Sequence, residues 1–251
     1  MLVPRVFVPS VLSSGVRVVV GGSVRQHLIQ VLRLTVGSQL RVFNSLVLGE
    51  FSAQIAKVGR TNLEIMLQDF IKDERESPLK VILWQGISRG DKMDFTIQKA
   101  VELGVSEIVP IFSEYCGVRL TADRLIKRQE HWYKIAISAA EQSGRCLVPT
   151  IHTAKSLKEQ LASNCSDHGD SAGAVRFVLH PTATQSLKQL KIIAKNSVVI
   201  AIGPEGGFSD EELNLFQADG FQAIALGRRI LRTETAALAV ISALQVLWGD
   251  F

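Results

Sequence analysis

From Leu79 onward, short unbroken apolar runs alternate with amphipathic stretches, and this rhythm constrains the fold more than any other feature of the sequence. Val81–Gln85 and Val198–Ile202 are almost wholly apolar, as expected of strands covered on both faces. Met93–Leu103 and Ala236–Trp248 carry apolar residues at helical spacing. Strands and helices that alternate in this way predict an α/β domain built on a parallel sheet.

The same reading places the remaining elements of this region. Strands are predicted at Ile108–Phe112, Phe177–Leu179 and Ala223–Leu226. Helices are predicted at Ile126–Ser143, Leu187–Ala194 and Ser209–Asp219. The stretch Ser163–Gly173 is rich in Ser, Asp and Gly, which is typical of a surface loop.

The first 70 residues follow a different pattern, in which short β-rich runs are separated by Gly, Ser and Asn turns. The predicted strands are Val3–Val8, Val16–Val20, Gln39–Phe43, Glu50–Val58 and Asn62–Leu67. A helical stretch, His27–Leu34, lies between the second and third strands. The pattern predicts a small β-barrel with one helix, followed by a charged linker at 72–78. We therefore predict two domains, at residues 1–73 and 77–251.

Charge is unevenly distributed between these two regions. The whole chain has a net charge of +4, and residues 1–73 contain eight Lys/Arg but only four Asp/Glu. Five arginines precede the first acid, Glu50. Such a balance suits a polyanion such as RNA, although a solvated basic face without a partner is the open alternative. The barrel residues considered for RNA contact are Arg25, His27 and Arg33.

The cysteine and hydropathy patterns argue against disulfide-bonded, metal-binding, membrane-spanning and secreted proteins. Cys116, Cys146 and Cys165 are far apart and form no CxxC pair, so neither a disulfide framework nor a zinc site is expected. No His/Cys/Asp cluster has ligand spacing, so no metal is predicted. No apolar run reaches the length of a membrane span, and the first residues lack a signal-peptide pattern. A reducing cytoplasm is the expected location.

The strand Val198–Ile202 runs into the bend Gly203-Pro204-Glu205-Gly206-Gly207-Phe208. Glycines allow positive φ and close approach of the backbone to a ligand. Ser209 and Glu212 have the spacing of a capping box that opens the next helix, and the acids there disfavour a phosphate. Neither GxGxxG nor GK[ST] is present. The bend predicts a site for a cofactor without phosphates, with a plain turn as the alternative.

Two further bends follow predicted strands. Leu226–Ala236 contains three arginines, and its Ile230 and Leu231 are expected to line a pocket, for instance around an adenine ring. The other is Leu179-His180-Pro181. A lone histidine before proline is usually a turn residue, so we assign His180 no acid–base role. Because ligands bind beyond the carboxyl ends of parallel strands, the three bends are candidates for one site.

Four segments together carry a close resemblance to a known family. They are GPEGG at 203–207, LGRRILRTETA at 226–236, DKMDFTIQKAVELGV at 91–105 and AAEQSGRCLVP at 139–149. They resemble the E-type uridine-N3 ribosomal RNA methyltransferases of the SPOUT class. The stretch from His27 to Arg33 is similar to the PUA-like RNA-binding barrel of that family. The resemblance runs from about Arg5 to Trp248, but Phe43–Glu50 departs from the family, which commonly has an Asp-Gly turn there.

The resemblance implies an α/β domain with a deep trefoil knot, a homodimer whose sites are completed by the partner subunit, and small-subunit (16S-type) ribosomal RNA as substrate. It also implies S-adenosylmethionine as the methyl donor. The residues expected to bind it are Leu179, His180, Ile202, Gly203, Gly206, Leu226, Gly227, Ile230, Leu231 and Thr233.

Methylation at uracil N3 sets requirements on the remaining polar residues. N3 must lose its proton, so a cation near the ring is expected to stabilise the anion, and Arg232 is the candidate. Glu205 is considered for orienting the ring or accepting the proton, which needs a pKa raised by burial. A duplex hides N3, so the target must be unpaired or flipped. The residues considered for holding RNA phosphates in this region are Arg89, Lys92, Lys99 and Arg145.

Three other functions stay open. A different SPOUT enzyme, acting on a ribose hydroxyl or a transfer RNA base, would share similar bends. An RNA-binding assembly factor without catalysis would keep the barrel but bind no S-adenosylmethionine. A NAD enzyme is disfavoured by the missing GxGxxG.

Overall fold

The computed structural model describes residues 3–73, 75–118, 120–164, 173–190 and 197–251. The chain forms two compact units. Unit 1 comprises Met1–Glu76 together with Ala140–Val148, and unit 2 comprises Ser77–Ala139 together with Pro149–Phe251. The return of 140–148 to unit 1 was not anticipated from the sequence. No helix in the described ranges combines the length and apolar character needed to cross a membrane.

Unit 1 is built around a five-stranded sheet in the order β1-β3-β4-β5-β2. Its strands are β1 Arg5–Phe7, β2 Arg17–Gly21, β3 Gln39–Phe43, β4 Gly49–Val58 and β5 Asn62–Lys72. β1 pairs with β3 in parallel, and the other pairs are antiparallel. Helix α1, Gly22–Gln26, continues into a π-helical turn at His27–Val31 where the sequence predicted one regular helix.

One face of this sheet forms the core of unit 1. Alternate residues of β4 and β5 are buried, as the two-residue period of a half-covered strand requires. Leu28 of the π-helical turn is fully buried in the same cluster, so this short helical segment closes the core. The inward residues of the central strands are Leu40, Val42, Phe51, Ala53, Ile55, Leu63, Ile65 and Leu67.

Arg5 joins the first strand to the returning segment of unit 1. Its side chain is 11% exposed and its Nε donates to Glu50 Oε2 over 2.7 Å. Its Nη atoms donate to the carbonyls of Ala140 (2.9 Å) and Arg145 (3.0 Å), and the guanidinium lies 4.7 Å from the centre of the Phe43 ring. A buried guanidinium with this many acceptors is a structural group, because its charge and donors are all satisfied internally.

Unit 2 contains a parallel sheet in the order β12-β10-β11-β6-β7-β8, with β9 also paired to β7. The strands are β6 Lys80–Gly86, β7 Val105–Phe112, β8 Thr150–Ile151, β9 Lys155–Ser156, β10 Val175–Leu179, β11 Ser197–Ile202 and β12 Gln222–Ile224. The helices are α2 Asp91–Glu102, α3 Ala122–Ser143 (whose last four residues belong to unit 1), α4 Leu157–Asn164, α5 Asp210–Ala218 and α6 Thr233–Trp248. The predicted parallel α/β sheet is confirmed.

The differences from the predicted elements lie mainly at short segments. β8, β9 and α4 were not predicted, and α6 begins three residues earlier than expected. In the predicted helix Leu187–Ala194, the structure shows a 3-10 turn at Leu187–Gln189, and 191–194 lie outside the described residues. Most of the predicted loop at 163–173 also lies outside them.

The strand ends opposite the candidate site carry an ion-pair group. Glu107 accepts from Lys80 Nζ at 2.8 Å and lies 2.7 Å from His152 Nε2. The hydrogen bond to His152, reinforced by Lys80, outweighs burial and lowers the pKa of Glu107 from 4.5 to about 2. The folded state therefore binds this proton less readily than the unfolded chain does.

Glu107→Gln tests this group through the pH dependence of stability. Because the folded pKa is depressed, the stabilisation is present above the unfolded pKa of about 4.5 and is lost as pH falls toward about 2. We expect the free energy of unfolding of the wild type to fall between about pH 5 and about pH 3 by about 1–3 kcal/mol more than that of the variant. Urea denaturation of both proteins across that range measures the difference, and identical pH slopes would contradict the prediction.

Candidate functional site

A cavity of about 640 Å³ lies in unit 2 beyond the carboxyl ends of β10, β11 and β12. Its volume is in the range of small-molecule sites in proteins. Three bends line it, and they are the three predicted from the sequence: 179–181, 202–207 and 226–233. All ten residues expected to bind a methyl donor face this cavity, together with Glu205, Arg232 and Lys92.

The bend at 203–207 is a tight turn that packs against other parts of unit 2. The N–H of Gly207, whose φ is +73°, donates to Pro204 O over 2.9 Å. A Cβ on Gly206 would lie 2.7 Å from Tyr115 Cβ, and a Cβ on Gly86 would collide with the Pro204 backbone. The sequence explained the glycines at 203, 206 and 207 by positive φ and by close approach to a ligand. Gly207 has the positive φ, and Gly206 lines the cavity while packing against Tyr115 on its other side.

The exit of the bend is held in place by a helix cap and an aromatic cluster. The predicted capping box is present, since Glu212 N donates to Ser209 Oγ (3.3 Å) and Ser209 N donates to Glu212 Oε2 (3.0 Å). Phe208 packs edge-on to Phe216 with ring centres 4.8 Å apart. Trp84 of β6 belongs to the same core cluster. The bend therefore leaves a rigid strand and enters a capped, packed helix.

Thr233 ties two of the bends together. Its Oγ1 donates to Gly203 O over 2.6 Å and accepts from Gln85 Nε2 over 2.9 Å. Thr233 is 6% exposed and Gln85 is fully buried. The hydroxyl thus fixes the first residue of α6 against the glycine bend and the end of β6. Gln85 was missed by sequence reasoning, although a glutamine inside the apolar run Val81–Gln85 is the signal that could have identified it.

Glu205 projects from the glycine bend toward α2. Its Oε1 accepts from Lys92 Nζ at 2.9 Å and from the backbone N–H of Arg89 at 3.3 Å. Burial raises the pKa of Glu205, but the Lys92 hydrogen bond and the backbone N–H groups together bring it below the usual 4.5. The raised pKa that a proton-accepting Glu205 would need is therefore not present, because its partners stabilise the charged carboxylate, which leaves orientation of the ring as its candidate role.

The arginine-rich bend gives the cavity a basic and apolar rim. Arg229 and Arg232 line the cavity, and Arg232 is exposed at the residue that precedes α6. Among the described residues, no carboxylate lies within ion-pair distance of either guanidinium. Ile230 lines the cavity while 87% exposed, and Leu231 is half-buried. His180 also lines it, with Nδ1 3.0 Å from Thr182 Oγ1, which agrees with the turn position expected for it.

The RNA-contact candidates of unit 1 differ in their availability. Arg25 donates to Gly59 O at 2.9 Å, whereas His27 and Arg33 are exposed. Arg33 has a positive φ of 54°, so its backbone does not continue the helical turn that ends at Val31. The early excess of arginine is partly internal, because both Arg5 and Arg41 are directed at Glu50. The charge balance of this region alone therefore overstates its basic surface.

Arg145 does not hold RNA phosphates as the sequence suggested. Its side chain is 8% exposed, and its Nη2 is 2.8 Å from Glu76 Oε2. Glu76 also accepts from the backbone N–H groups of Cys146 and Leu147, so the ion pair fixes the segment that returns to unit 1. The guanidinium is therefore buried in an ion pair inside unit 1, and no spacing in the sequence indicated this pairing.

The other basic candidates of unit 2 are occupied by local partners. Arg89 Nε donates to Gly117 O over 3.2 Å, and Lys99 pairs with Glu102 on the same helix over 2.7 Å. Lys92 contacts Glu205 and lines the cavity. Only Lys92 of these three is therefore placed at the cavity itself.

A buried cluster of Glu50, Asp73 and Cys146 brings possible metal-ligand atoms within 4.8 Å of one another in unit 1. Its charges are already compensated, since Arg5 pairs with Glu50 and Arg75 pairs with Asp73. Burial, followed by the Asp73 charge, raises the pKa of the Cys146 thiol to about 11. A neutral thiol among paired carboxylates is poorly suited to a cation, so we assign this cluster to packing.

A parallel α/β sheet with a cavity formed by bends at its strand ends defines a class of ligand-binding enzyme domains. The family model described as "RNA methyltransferase domain" matches residues 75–245, which include the whole cavity. Ribosomal RNA small subunit methyltransferase E of Buchnera aphidicola (subsp. Schizaphis graminum) is 36% identical over 250 residues, covering 99% of this chain and 98% of that protein. The Bacillus subtilis protein of the same name is 32% identical over 239 residues, covering 89% of each chain. The chain belongs to the ribosomal RNA small subunit methyltransferase E family.

Two solved structures resemble the whole chain. The ribosomal RNA small subunit methyltransferase E of Neisseria gonorrhoeae, bound to S-adenosyl methionine, has a TM-score of 0.89 and 36% identity, with both chains covered completely. A Legionella pneumophila protein in complex with the bound cofactor SAM has a TM-score of 0.92 and 34% identity, again over all of both chains. Both likenesses extend through the cavity and unit 1.

Proposed function

We propose that this protein transfers a methyl group from S-adenosylmethionine to N3 of a uridine in small-subunit ribosomal RNA. The observation that carries the proposal is that the three bends line one shared cavity. Family membership supports the substrate, and the S-adenosylmethionine bound to two similar proteins supports the donor.

The residues of the cavity fit this donor. Apolar side chains suit an adenine ring, and the glycine bends offer backbone groups to its polar edge, while no phosphate-binding motif is present. When bound, the cofactor supplies an electrophilic methyl group. The side chains that would enclose it are Leu179, Ile202, Leu226, Ile230 and Leu231, with backbone from Gly203, Gly206 and Gly227.

Arg232 and Glu205 have distinct functions toward the uracil in this proposal. Arg232 lines the cavity as an exposed cation and stabilises the negative charge that the ring acquires when N3 loses its proton. Glu205, held charged by Lys92, accepts a hydrogen bond from N3–H, the one donor of the uracil ring, and so orients the ring before that proton is lost. Neither residue acts as the general base, and the N3 proton passes to solvent water.

Three further features belong to the proposal. Unit 1 is a PUA-like RNA-binding barrel, and unit 2 threads a trefoil knot, as expected of the family. The protein acts in the cytoplasm as a homodimer. The dimer is supported by three large apolar side chains that are exposed in unit 2, Ile230 (87%) on the cavity rim and Val246 (65%) and Leu247 (47%) at the end of α6, because exposed apolar groups are covered at subunit interfaces.

Mass spectrometry of small-subunit ribosomal RNA from cells with and without this protein tests the function. We expect one uridine to carry a base methyl group at N3 only when the protein is present. A methyl group on a ribose hydroxyl would identify a different RNA methyltransferase. Unchanged RNA, combined with RNA binding but no S-adenosylmethionine binding in titration, would identify an assembly factor without catalysis.

A further inference from the structure

Helix α3 presents a basic face that none of the expected RNA contacts includes. Arg124, Lys127, Arg128 and Lys134 are all exposed. At 100° per residue they fall, together with His131, within an arc of about 120° on one side of the helix. Asp123 and Glu130 lie at the edge of this arc and not inside it. Throughout the described ranges, none of the four cations has a carboxylate within ion-pair distance.

Part of this arrangement is unfavourable for the helix itself. The cations occupy its first thirteen residues, whereas no basic residue lies in its last turn. The positive end of the helix dipole is at the N-terminus, so Arg124, in the first turn, is at the end that disfavours a cation. Arg124 faces Lys127 and Arg128 at spacings of three and four, where like charges repel, while Asp123 and Glu130 stand four residues before Lys127 and Lys134 and offset part of this repulsion. A partner with negative charge would offset both effects.

The position of the helix is fixed by the face next to the basic arc. Trp132, Ala136 and Ala139 are buried, so the apolar face of α3 is covered by the protein itself and is not free to enter a membrane. His131 Nε2 lies 2.6 Å from Asp94 Oδ2 on α2. Asp94 is two residues from Lys92, which lines the cavity. His131, which lies within the basic arc, therefore connects α3 to α2 close in sequence to Lys92.

We propose that the face formed by Arg124, Lys127, Arg128 and Lys134 binds the sugar-phosphate backbone of the RNA substrate. From Arg124 to Lys134 the helix rises about 15 Å, enough to follow several consecutive phosphates. Arginine forks match phosphate oxygens, and such contacts position a strand without reading its sequence. The inference rests on the proposed function and adds to it the surface that holds the RNA next to the cavity.

The double variant Lys127→Glu/Arg128→Glu tests this surface against Lys155→Glu/Lys158→Glu. The control pair is also exposed in unit 2, on β9 and α4, and it changes the formal charge by the same amount. The probe is a small-subunit ribosomal RNA fragment, with Kd measured at several salt concentrations. We expect the first variant to raise Kd at least about tenfold and to lower the salt slope by roughly 1.5–2, because two phosphate contacts are lost. The control should change Kd by less than about threefold.

Cofactor titration and methyl transfer separate the possible failures. S-adenosylmethionine should bind both variants as it binds the wild type, because the substitutions lie outside the cavity. Conservative Lys127→Arg/Arg128→Lys should keep RNA affinity. Equal RNA affinity of the two charge-reversed variants, in a protein that transfers methyl groups, would overturn the inference and leave the function standing. If only the α3 variant lost RNA affinity but the wild-type protein transferred no methyl group, the inference would stand and the proposed function would fall.

Discussion

Thr233→Val is expected to weaken S-adenosylmethionine binding by about ten- to a hundredfold while the protein stays folded. Valine keeps the shape but removes the donor to Gly203 O and the acceptor for Gln85. A buried polar group left without its partner costs about 1–3 kcal/mol, and each 1.4 kcal/mol corresponds to about a factor of ten. We expect this free energy to be lost from cofactor binding because the hydrogen bond from Thr233 to Gly203 joins two of the bends that line the cavity. Isothermal titration with S-adenosylmethionine measures the change.

Two matched variants control this prediction. Thr233→Ser retains the hydroxyl and should bind the cofactor within about threefold of the wild type. Thr235→Val makes the same chemical change two residues along α6 at an exposed position, and should have little effect. A cofactor affinity for Thr233→Val equal to that of Thr235→Val would mean that the bends keep their arrangement without the hydroxyl.

Arg5→Ala is expected to have the largest effect on stability, lowering the free energy of unfolding of unit 1 by about 3–5 kcal/mol. The substitution leaves buried Glu50 with only the longer contact to Arg41, at 3.7 Å, and it removes the donors to the carbonyls of Ala140 and Arg145. It also removes the contact with the Phe43 ring. Chemical denaturation, followed by hydrogen exchange in β1 and β3, measures the loss and locates it.

Arg17→Ala is the control for this prediction, because the Arg17 side chain is 61% exposed and its ion pair with Glu64 is long, at 3.6 Å. Its expected effect is below about 1 kcal/mol. Arg5→Lys should be intermediate, since it keeps the charge but not the fork that reaches several acceptors. If Arg5→Ala proved no more damaging than Arg17→Ala, the returning segment at 140–148 would be held by other contacts.

The central elements of unit 2 could be predicted because their sequence patterns are local. β6 and β11 are continuous apolar runs, and helices α2 and α3 carry apolar residues with a clear 3.6-residue period. β8 and β9 contain two residues each, which is too short to show a period. α4 has eight residues with a weak apolar pattern, so it too escaped prediction.

The location of the site could be predicted because it depends on where the parallel strands end. Parallel strands direct their carboxyl ends to one edge, so three unusual bends after three strands were expected to meet. The sequence does not tell which strand lies beside which, and Gln85 and Gly86 matter only because β6 is the neighbour of β11. The charge of a residue also does not predict whether its side chain is buried. Arg145 was expected at the surface because its partner Glu76, 69 positions away, could not be identified from the sequence.

A crystal structure of the protein grown with S-adenosylmethionine tests the central claim most directly. The account predicts the cofactor in the cavity of unit 2, in contact with both the bend at 203–207 and the bend at 226–233. A cofactor bound elsewhere on the chain, or in contact with only one of these bends, would contradict it.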